Sequence, residues 1–466
     1  MDYPIWQPGI GGGVLMGLVA VTHVIVAHFA IGGGLVIAAT ETLAWRRGDR
    51  ELRELARRGS LMLLLVPTVF GVVTGVGIWF VAGLLSPAAI SSLIHNYVWG
   101  WAMEWAFFVI EIAAALLYYA TWGRVTKGIH VAIGWIYFVA AWMSLAIING
   151  IITFMLTPGR WIETRAFWDG FLNPTYGSSL VLRTGIALVM AAAFLVFAGL
   201  RAPREDRPRL MRYIGLWLVA GVAVSAGGYL WWETDLPESV RLLFLGEDPA
   251  LPALATTRAF LLWALGATLA VGLLILLLAP KAARTATAVV LALAAFAFFG
   301  GYERLREGAR KPFLIHDYMF SNGLLVEDVG RLNGDGVLSR APWAAHPVPV
   351  AALAEADPVS VGRAVFRAQC GHCHTLRGYQ GILPLLGEDP ELALVVLEVM
   401  SMEGEEYAAL GPGERIDKAR LTYPFMPPFV GTEDEMYALV EYLVAAASAE
   451  ADGAGGERVA RKGASR

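Results

Sequence analysis

Residues 22–34 read THVIVAHFAIGGG and lie within the first long apolar run of the chain, residues 12–44. This run exceeds the roughly 20 residues that an α-helix needs to cross a bilayer. It places two imidazoles, His23 and His28, where a spanning helix normally carries apolar side chains. Ionisable groups inside a membrane are costly and usually serve a function. The stretch therefore predicts a membrane protein whose first helix carries functional histidines.

The composition supports a membrane protein and excludes several other classes. Of the 466 residues, 57% are hydrophobic and the mean hydropathy is +0.56, whereas soluble domains are roughly 45–50% apolar. Two cysteines leave no disulfide framework, and no basic run interleaved with aromatics indicates nucleic-acid binding. The opening MDYPIWQPG has no basic residue of the kind that begins a signal peptide. The first apolar segment is therefore expected to remain as a helix.

The apolar runs predict an all-α, polytopic membrane helix bundle of about eight spans. The runs lie near residues 12–44, 60–85, 97–122, 130–156, 178–200, 211–232, 258–279 and 285–301.

The basic residues between these runs predict the orientation. Four alternate loops hold fifteen Lys and Arg residues, and the three opposite loops hold only four. Cytoplasmic loops carry the excess of Lys and Arg. Both termini, and everything after residue 301, are therefore expected on the outer side of the membrane.

The sequence predicts four regions. Residues 1–301 form a transmembrane bundle, and residues 302–356 form an irregular connector on the outer side. Residues 357–447 form a compact soluble domain. Residues 448–466 are small and charged without apolar periodicity, which predicts a disordered tail.

The motif CGHCH at residues 370–374 predicts covalent haem. Two thiols at this spacing, Cys370 and Cys373, add to the two vinyl groups of one porphyrin, and His374 then faces the iron. The alternatives are a zinc site or a chance CxxC, but the chain has no second pair of cysteines. The region resembles a class I cytochrome c domain, and covalent attachment outside the cytoplasmic membrane agrees with the predicted orientation.

A methionine is the expected second axial ligand of this haem. Met426 lies in YPFMPPF, where prolines favour an extended loop. A thioether ligand there raises the reduction potential. Met400 and Met402 are the alternatives.

The two histidines of the first span point in different directions, because five residues separate them by roughly 140° on a helix. A flat macrocycle needs a shallow face beside its ligand, which favours His23 over His28 as a ligand of haem iron. His23 shares its stripe with small side chains: Ala20, Ala27, Ala30 and Gly34. The alternative is that His23 makes an interhelical hydrogen bond.

The third span carries two carboxylates on one face. Glu104 and Glu111 are seven residues apart, about 10 Å along a helix axis. Two membrane carboxylates in line indicate a proton relay or a haem-associated pair. The alternative is an ion pair with a membrane arginine such as Arg183. His95 and His130 lie near span ends and are expected at the membrane interface.

Three segments resemble subunit I of cytochrome bd-type quinol oxidases, most clearly over residues 10–190. They are THVIVAHFAIGGGLVIAATE (22–41), EWAFFVIE (104–111) and INGIITFMLTPG (148–159). The resemblance implies that His23 binds an active-site haem and that Glu104 and Glu111 serve that haem and proton delivery. It also implies a second integral membrane subunit and a quinol donor.

The sequence departs from that family in two places. LVLRTG puts Arg183, or Leu182, where the family has a histidine that binds a separate low-spin haem. The long quinol-binding loop is shortened to about residues 233–257, with WWETDLPE in place of the usual motif. These departures argue against a quinol site and against that haem.

The resulting hypothesis is a subunit of a respiratory oxidoreductase in the bacterial inner membrane. Electrons pass between one covalent haem c and one or more membrane haems of b or d type, with oxygen or another small oxidant as the acceptor. The expected partners are a second membrane subunit, a periplasmic redox protein or cytochrome c, and membrane lipid. The alternatives are a quinol–cytochrome c electron-transfer module without oxygen chemistry, and a non-enzymatic haem-bearing anchor or sensor.

Overall fold

The computed structural model describes residues 4–245, 252–279, 284–345, 357–386, 390–401 and 425–463. Within these residues, eight helices are long and apolar enough to cross a membrane, which confirms the predicted all-α bundle. The spans are Gly12–Arg47, Arg50–Leu85, Pro87–Ala120, Lys127–Phe154, Tyr176–Gly199, Arg207–Asp235, Leu254–Leu277 and Thr285–Arg310.

The helices of the bundle follow these spans, with the second span divided and short helices added between the others. In chain order they are α1 (Gly12–Arg47), α2 (Arg50–Leu65), α3 (Val72–Leu85), α4 (Pro87–Ala120), α5 (Lys127–Phe154), α6 (Trp161–Thr164), α7 (Phe167–Phe171), α8 (Tyr176–Gly199), α9 (Arg207–Asp235), α10 (Glu238–Leu245), α11 (Pro252–Leu277) and α12 (Thr285–Arg310).

A π-helical turn, Val66–Gly71, joins α2 to α3 within the second span. It contains Pro67, which has no N–H to donate to the preceding turn. Such turns inside α-helices are frequent at functional sites. Here the turn changes the direction of the backbone carbonyls just before α3, at the level of the first span's histidines.

The first span packs closely against α8. A Cβ atom at Gly32 would collide with the backbone carbonyl of Ala187, so only glycine fits at this crossing. The close approach buries the whole α1 segment 28–34. It also explains why His28, one turn before Gly32, is enclosed by the bundle while His23 is only half-buried.

The chain divides into two compact units. One comprises residues 19–78 and 93–310, and the other comprises residues 1–18, 79–92 and 311–466. The boundaries predicted from sequence at residues 301, 356 and 447 stay predictions.

The segment expected to be an irregular connector contains short regular elements as far as residue 345. Its hairpin pairs β1 (Phe313–Ile315) with β2 (Met319–Phe320), and it continues through α13 (Val329–Asp335) and α14 (Pro342–Ala345). Phe313 stacks on Phe320 with ring centroids 5.0 Å apart. The apolar side chains of this segment share one core with those of residues 364–447. Residues 302–345 are therefore more ordered than the sequence predicts.

The remaining helices of this unit are α15 (Pro358–Val365), α16 (Leu383–Leu386), α17 (Pro390–Met400) and α18 (Glu433–Gly463). Helix α18 continues through most of the residues for which the sequence predicts disorder.

One buried carboxylate joins α18 to the connector. Glu435 accepts hydrogen bonds from the backbone N–H groups of Val337, at 2.8 Å, and Leu338, at 3.0 Å. Burial raises the pKa of Glu435, and these donors oppose the shift. Buried polar groups without partners are costly, so this carboxylate helps to fix the connector against the helix.

Candidate haem sites and a polar ladder in the bundle

The CGHCH motif lies on a compact turn. A π-helical turn, Phe366–Cys370, leads into it, and the N–H groups of Cys373 and His374 both donate to the carbonyl of Cys370, at 3.1 and 2.9 Å. Both thiols are free and partly exposed. Burial raises the pKa of the Cys370 thiol to about 12, with a smaller contribution from Cys373. The turn thus presents two thiols and an imidazole from five consecutive residues.

The imidazole of His374 is oriented by one hydrogen bond. Its Nδ1 lies 2.7 Å from the backbone carbonyl oxygen of Gln380. A carbonyl oxygen only accepts, so Nδ1 carries the hydrogen and Nε2 keeps its lone pair. Such a bond fixes the tautomer and ring orientation of a metal-binding histidine. The donor set of Cys370, Cys373 and His374 therefore fits a covalently attached haem.

The segment that carries Met426 is fastened beside this motif. The N–H of Val430 donates to the side-chain amide oxygen Oε1 of Gln369 at 3.0 Å. Gln369 directly precedes Cys370. The N–H of Phe429 donates to the carbonyl of Met400 at 3.1 Å. Met426 as the axial ligand stays a prediction, as does its alternative Met400. Met402 lies outside the described residues.

The N-terminal segment also contacts the motif, which sequence reasoning did not predict. The side-chain amide of Gln7 donates to the carbonyl of Arg367 at 3.0 Å. A Cβ atom at position 371 would displace this amide, so the contact with Gln7 depends on glycine as the first residue between the two cysteines. Gln7 thereby holds the turn that positions the thiols.

His23 contacts the turn between α2 and α3. Its Nδ1 lies 3.1 Å from the carbonyl oxygen of Gly71 and 3.2 Å from Thr74 Oγ1. Since the carbonyl only accepts, Nδ1 carries the hydrogen and Nε2 has a free lone pair. The ring packs against Gly75, which has no side chain to cover it. His23 thus combines a fixed tautomer with a half-open face, as an axial ligand of a macrocycle requires.

His28 is enclosed instead. It is 1% exposed, its Nδ1 donates to the carbonyl of Val24 at 2.8 Å, and its ring lies 5.1 Å from that of Phe299. Its Nε2 is buried without a hydrogen-bond partner. The lone pair could bind a metal, but Phe299 occupies the space that a porphyrin would need. The geometry therefore favours His23 over His28 as the ligand.

Arg183 pairs with a carboxylate that sequence reasoning missed. It is 2% exposed, and its guanidinium lies 2.9 Å from Glu303 Oε1 on α12. Arg306 contacts the other oxygen of Glu303 at 3.0 Å. The alternative that Arg183 pairs with Glu104 or Glu111 therefore names the wrong partner. The sequence predicts that the last span ends at residue 301, which places Glu303 in the connector.

Glu104 and Glu111 accept hydrogen bonds from α5. Ser144 Oγ donates to Glu104 at 2.9 Å, and the Tyr137 hydroxyl donates to Glu111 at 3.0 Å. The alternative of an ion pair with Arg183 is therefore not what the structure shows. Their role as a relay stays a prediction.

His130 is not at the membrane interface as the sequence suggested. It is 3% exposed, and its Nδ1 lies 2.6 Å from Oε1 of Glu41, which is itself 7% exposed. The Tyr118 hydroxyl donates to Glu41 Oε2 at 2.6 Å, and the Tyr118 carbonyl lies 2.9 Å from His130 Nε2. Glu41 on α1 reaches His130 from 89 positions away, so this cluster could not be read from local sequence. His95 is exposed.

These contacts form a series along the interface of α4 and α5, which we call the polar ladder. Each contact is seven residues from the next on both helices. In order they are Glu104 with Ser144, Glu111 with Tyr137, and Tyr118 with His130 and Glu41. A small cleft opens beside the middle contact, where Glu111, Tyr137 and Ala115 line it.

Comparison with known proteins confirms the resemblances inferred from the sequence. Residues 14–227 match the family model of cytochrome bd terminal oxidase subunit I. Residues 359–447 match the cytochrome c family model. A search of curated proteins finds no match.

A solved structure shares the fold. The structure of bd oxidase from Geobacillus thermodenitrificans aligns with a TM-score of 0.56 at 16% sequence identity, covering 66% of this chain and 89% of that one. The likeness supports the bundle architecture independently of the helix count. The two family matches place electron-transport and haem functions in one multi-pass membrane chain.

Proposed function

We propose that this chain is the haem-bearing subunit of a respiratory oxygen reductase that receives electrons through its own cytochrome c domain. One observation carries the proposal: a match to a terminal oxidase subunit and a match to cytochrome c lie on the same chain. The haem groups supply the one-electron and oxygen chemistry. The protein supplies ligands, orientation and protons.

In the outer domain, Cys370 and Cys373 would hold haem c covalently, and His374 would offer its Nε2 lone pair to the iron. The hydrogen bond from His374 Nδ1 to the Gln380 carbonyl prevents the ring from turning away. Met426 would offer its thioether from the segment fastened at Gln369. A thioether there raises the potential at which this domain accepts electrons.

In the bundle, His23 would hold a haem of b or d type with its free Nε2. Gly71 and Thr74 hold its Nδ1, and the bare backbone of Gly75 leaves room beside the ring. Glu104 and Glu111 hold protons near this haem, where charge from an arriving electron must be balanced in a medium of low dielectric. Ser144 and Tyr137 orient the two carboxyl groups.

We infer the membrane orientation and the partners of the chain from its basic loops and its family matches. The basic loops lie on the cytoplasmic side of a bacterial inner membrane, and the cytochrome c domain lies on the periplasmic side. A second integral membrane subunit accompanies this one, since the matched family is named as subunit I of an oxidase. A periplasmic redox protein, rather than quinol, delivers electrons.

Purification of the intact complex tests the proposal. Haem extraction and visible spectra should show one covalent haem and at least one extractable haem. Oxygen uptake should follow addition of a reduced soluble cytochrome c and should not follow addition of a short-chain quinol. Oxygen uptake driven only by quinol would show that quinol, and not a soluble cytochrome, is the electron donor. Reduction of the haem c by quinol without oxygen uptake would show a quinol–cytochrome c module. Neither activity would indicate an anchor or sensor.

A further inference from the structure

The cluster of Glu41, Tyr118 and His130 lies at one end of the polar ladder. Glu41 is six residues before the end of α1, Tyr118 is two before the end of α4, and His130 is three after the start of α5. All three helix ends adjoin loops with basic residues. Four exposed cations lie at these ends: Arg46, Arg47, Arg124 and Lys127.

The hydrogen bonds of the cluster determine how many protons it holds. The Tyr118 carbonyl can only accept, so His130 Nε2 carries a hydrogen, and the Tyr118 hydroxyl donates to Glu41 Oε2. One further proton lies between His130 Nδ1 and Glu41 Oε1, 2.6 Å apart. Whether it resides on nitrogen or on oxygen, the net charge of the pair is zero. The 2.6 Å contact requires this proton, because without it two lone pairs would face each other.

The ladder connects this site with the two carboxylates of the third span. Successive contacts are seven residues apart, or about 10 Å along the helix. The cleft beside Glu111 is lined by Ala115, which lies on α4 between Glu111 and Tyr118. The space in this cleft that water can occupy is about 20 Å³, which is enough for one molecule. Water in this cleft can bridge the middle contact toward the cluster.

We propose that the pair of Glu41 and His130 is the proton-collecting site for oxygen reduction, feeding Glu111 and then Glu104 along the polar ladder. The inference rests on the proposed function, because it requires a reaction that consumes protons. Reduction of one oxygen molecule to two waters takes four electrons from haem c and four protons. For each proton, a hydronium ion or a water molecule outside the protein gives up one O–H bond. An N–H or O–H bond of the pair forms, and the proton that the pair held before passes toward Glu111.

Among the described residues that contact one another in this cluster, the titratable ones are Glu41, His130 and Tyr118. Trp122 covers the His130 ring, with centroids 4.2 Å apart, and is itself held by a hydrogen bond to Ser60 at 2.9 Å. The same contacts could instead serve only to join α1, α4 and α5. The test must therefore remove the exchangeable proton and leave the contacts in place.

Glu41→Gln meets this requirement. The amide oxygen can accept from the Tyr118 hydroxyl and the amide nitrogen can donate to His130 Nδ1, so all three hydrogen bonds remain while the shared proton is lost. The matched control is Thr157→Val, which removes buried hydrogen bonds to Asn173 and Thr175 away from the ladder. Both variants are purified as the intact complex in liposomes. Anaerobic electron transfer from haem c to the bundle haem is measured, together with oxygen turnover and proton uptake by a pH-indicator dye.

The proposal expects Glu41→Gln to slow proton uptake and oxygen turnover together by at least about tenfold, the lower range for lost acid–base assistance. Anaerobic electron transfer should stay at the wild-type rate, and Thr157→Val should behave as wild type throughout. Wild-type proton uptake in Glu41→Gln would overturn the proposal, as would equal losses in both variants.

Two further outcomes are also decisive. If wild-type complex consumes no oxygen, the proposed function fails and this inference fails with it. If Glu41→Gln does not assemble, His130→Gln is used, because it removes the imidazole of the pair and keeps an amide that can donate to Glu41. Slower proton uptake in His130→Gln supports the proposal, and unchanged uptake overturns it.

Discussion

Arg183 on α8 and Glu303 on α12 form a buried ion pair, with 2.9 Å between guanidinium nitrogen and carboxylate oxygen. The Arg183 guanidinium also lies over the ring of Tyr302, 5.4 Å from its centroid. Arg306 holds the second oxygen of Glu303. The pair therefore joins two spans that are more than 100 residues apart in sequence, at the level of His28 and Phe299.

Removal of one partner should destabilise the bundle strongly. Glu303→Gln leaves Arg183 buried without a counter-charge, and a broken buried pair typically costs about 3–5 kcal/mol. The midpoint of thermal unfolding of the purified complex in detergent should fall accordingly. Glu54→Gln is the control, because Glu54 pairs with Arg57, whose side chain is 62% exposed. Equal melting of the two variants would contradict a structural role for the pair.

The topology prediction rests on the distribution of basic residues between the spans. A reporter that is active only in the cytoplasm, fused after residue 301, should give no signal. The same reporter fused within the loop at 45–58, with its six arginines, should be active. A strong cytoplasmic signal after residue 301 would reverse the orientation and would place haem c attachment on the wrong side.

Met426→Ala tests the axial ligand of haem c. The haem should stay covalently attached, because the variant leaves both cysteines and His374 in place. Loss of the thioether should lower the reduction potential, since axial ligands are a principal determinant of haem potential. Redox titration of the covalent haem measures the change. An unchanged potential and spectrum would indicate that Met426 is not the ligand. Met400→Ala and Met402→Ala would then test the two alternatives.

Apolar runs and one short motif were enough to predict most of the architecture. Eight runs predicted eight spans, because every backbone polar group in lipid must be satisfied within a helix or a closed barrel. CGHCH predicted the haem c turn, because the chemistry depends on five adjacent residues. Neither required knowledge of tertiary contacts.

The misses share one physical cause, which is that burial of a polar group depends on distant partners. His130 seemed interfacial because it follows a loop by three residues, yet Glu41 and Tyr118 enclose it. The sequence places Glu303 in the connector because the last apolar run ends at residue 301. In the structure, α12 continues to Arg310, and Glu303 contacts Arg183. A signal was available in the second case: a buried arginine in a span requires a carboxylate.

The two imidazoles of the first span should respond differently to mutation. His23→Ala should lose extractable haem, because it removes the Nε2 lone pair beside the open face at Gly75. His28→Ala should keep most of the haem, because Phe299 already fills the space beside it. Pyridine haemochrome assays on both purified variants count the haem. The reverse pattern would show that His28 is the ligand and that Phe299 moves when haem binds.

The last prediction concerns a haem that the resemblance implies and this chain should lack. Arg183 occupies the place of the family's low-spin haem ligand, and a guanidinium has no lone pair to offer to iron. The side chain of Arg183 is also held in place, because Glu303 on α12 forms an ion pair with it. Arg183→His should therefore not create a low-spin haem. It should destabilise the bundle instead, because Glu303 would keep only Arg306 as a partner. The reduced spectrum of the wild-type complex should account for the covalent haem and the haem lost in His23→Ala or His28→Ala. A low-spin, bis-ligated haem b that persists in both histidine variants would overturn this prediction and would require a ligand pair elsewhere in the bundle.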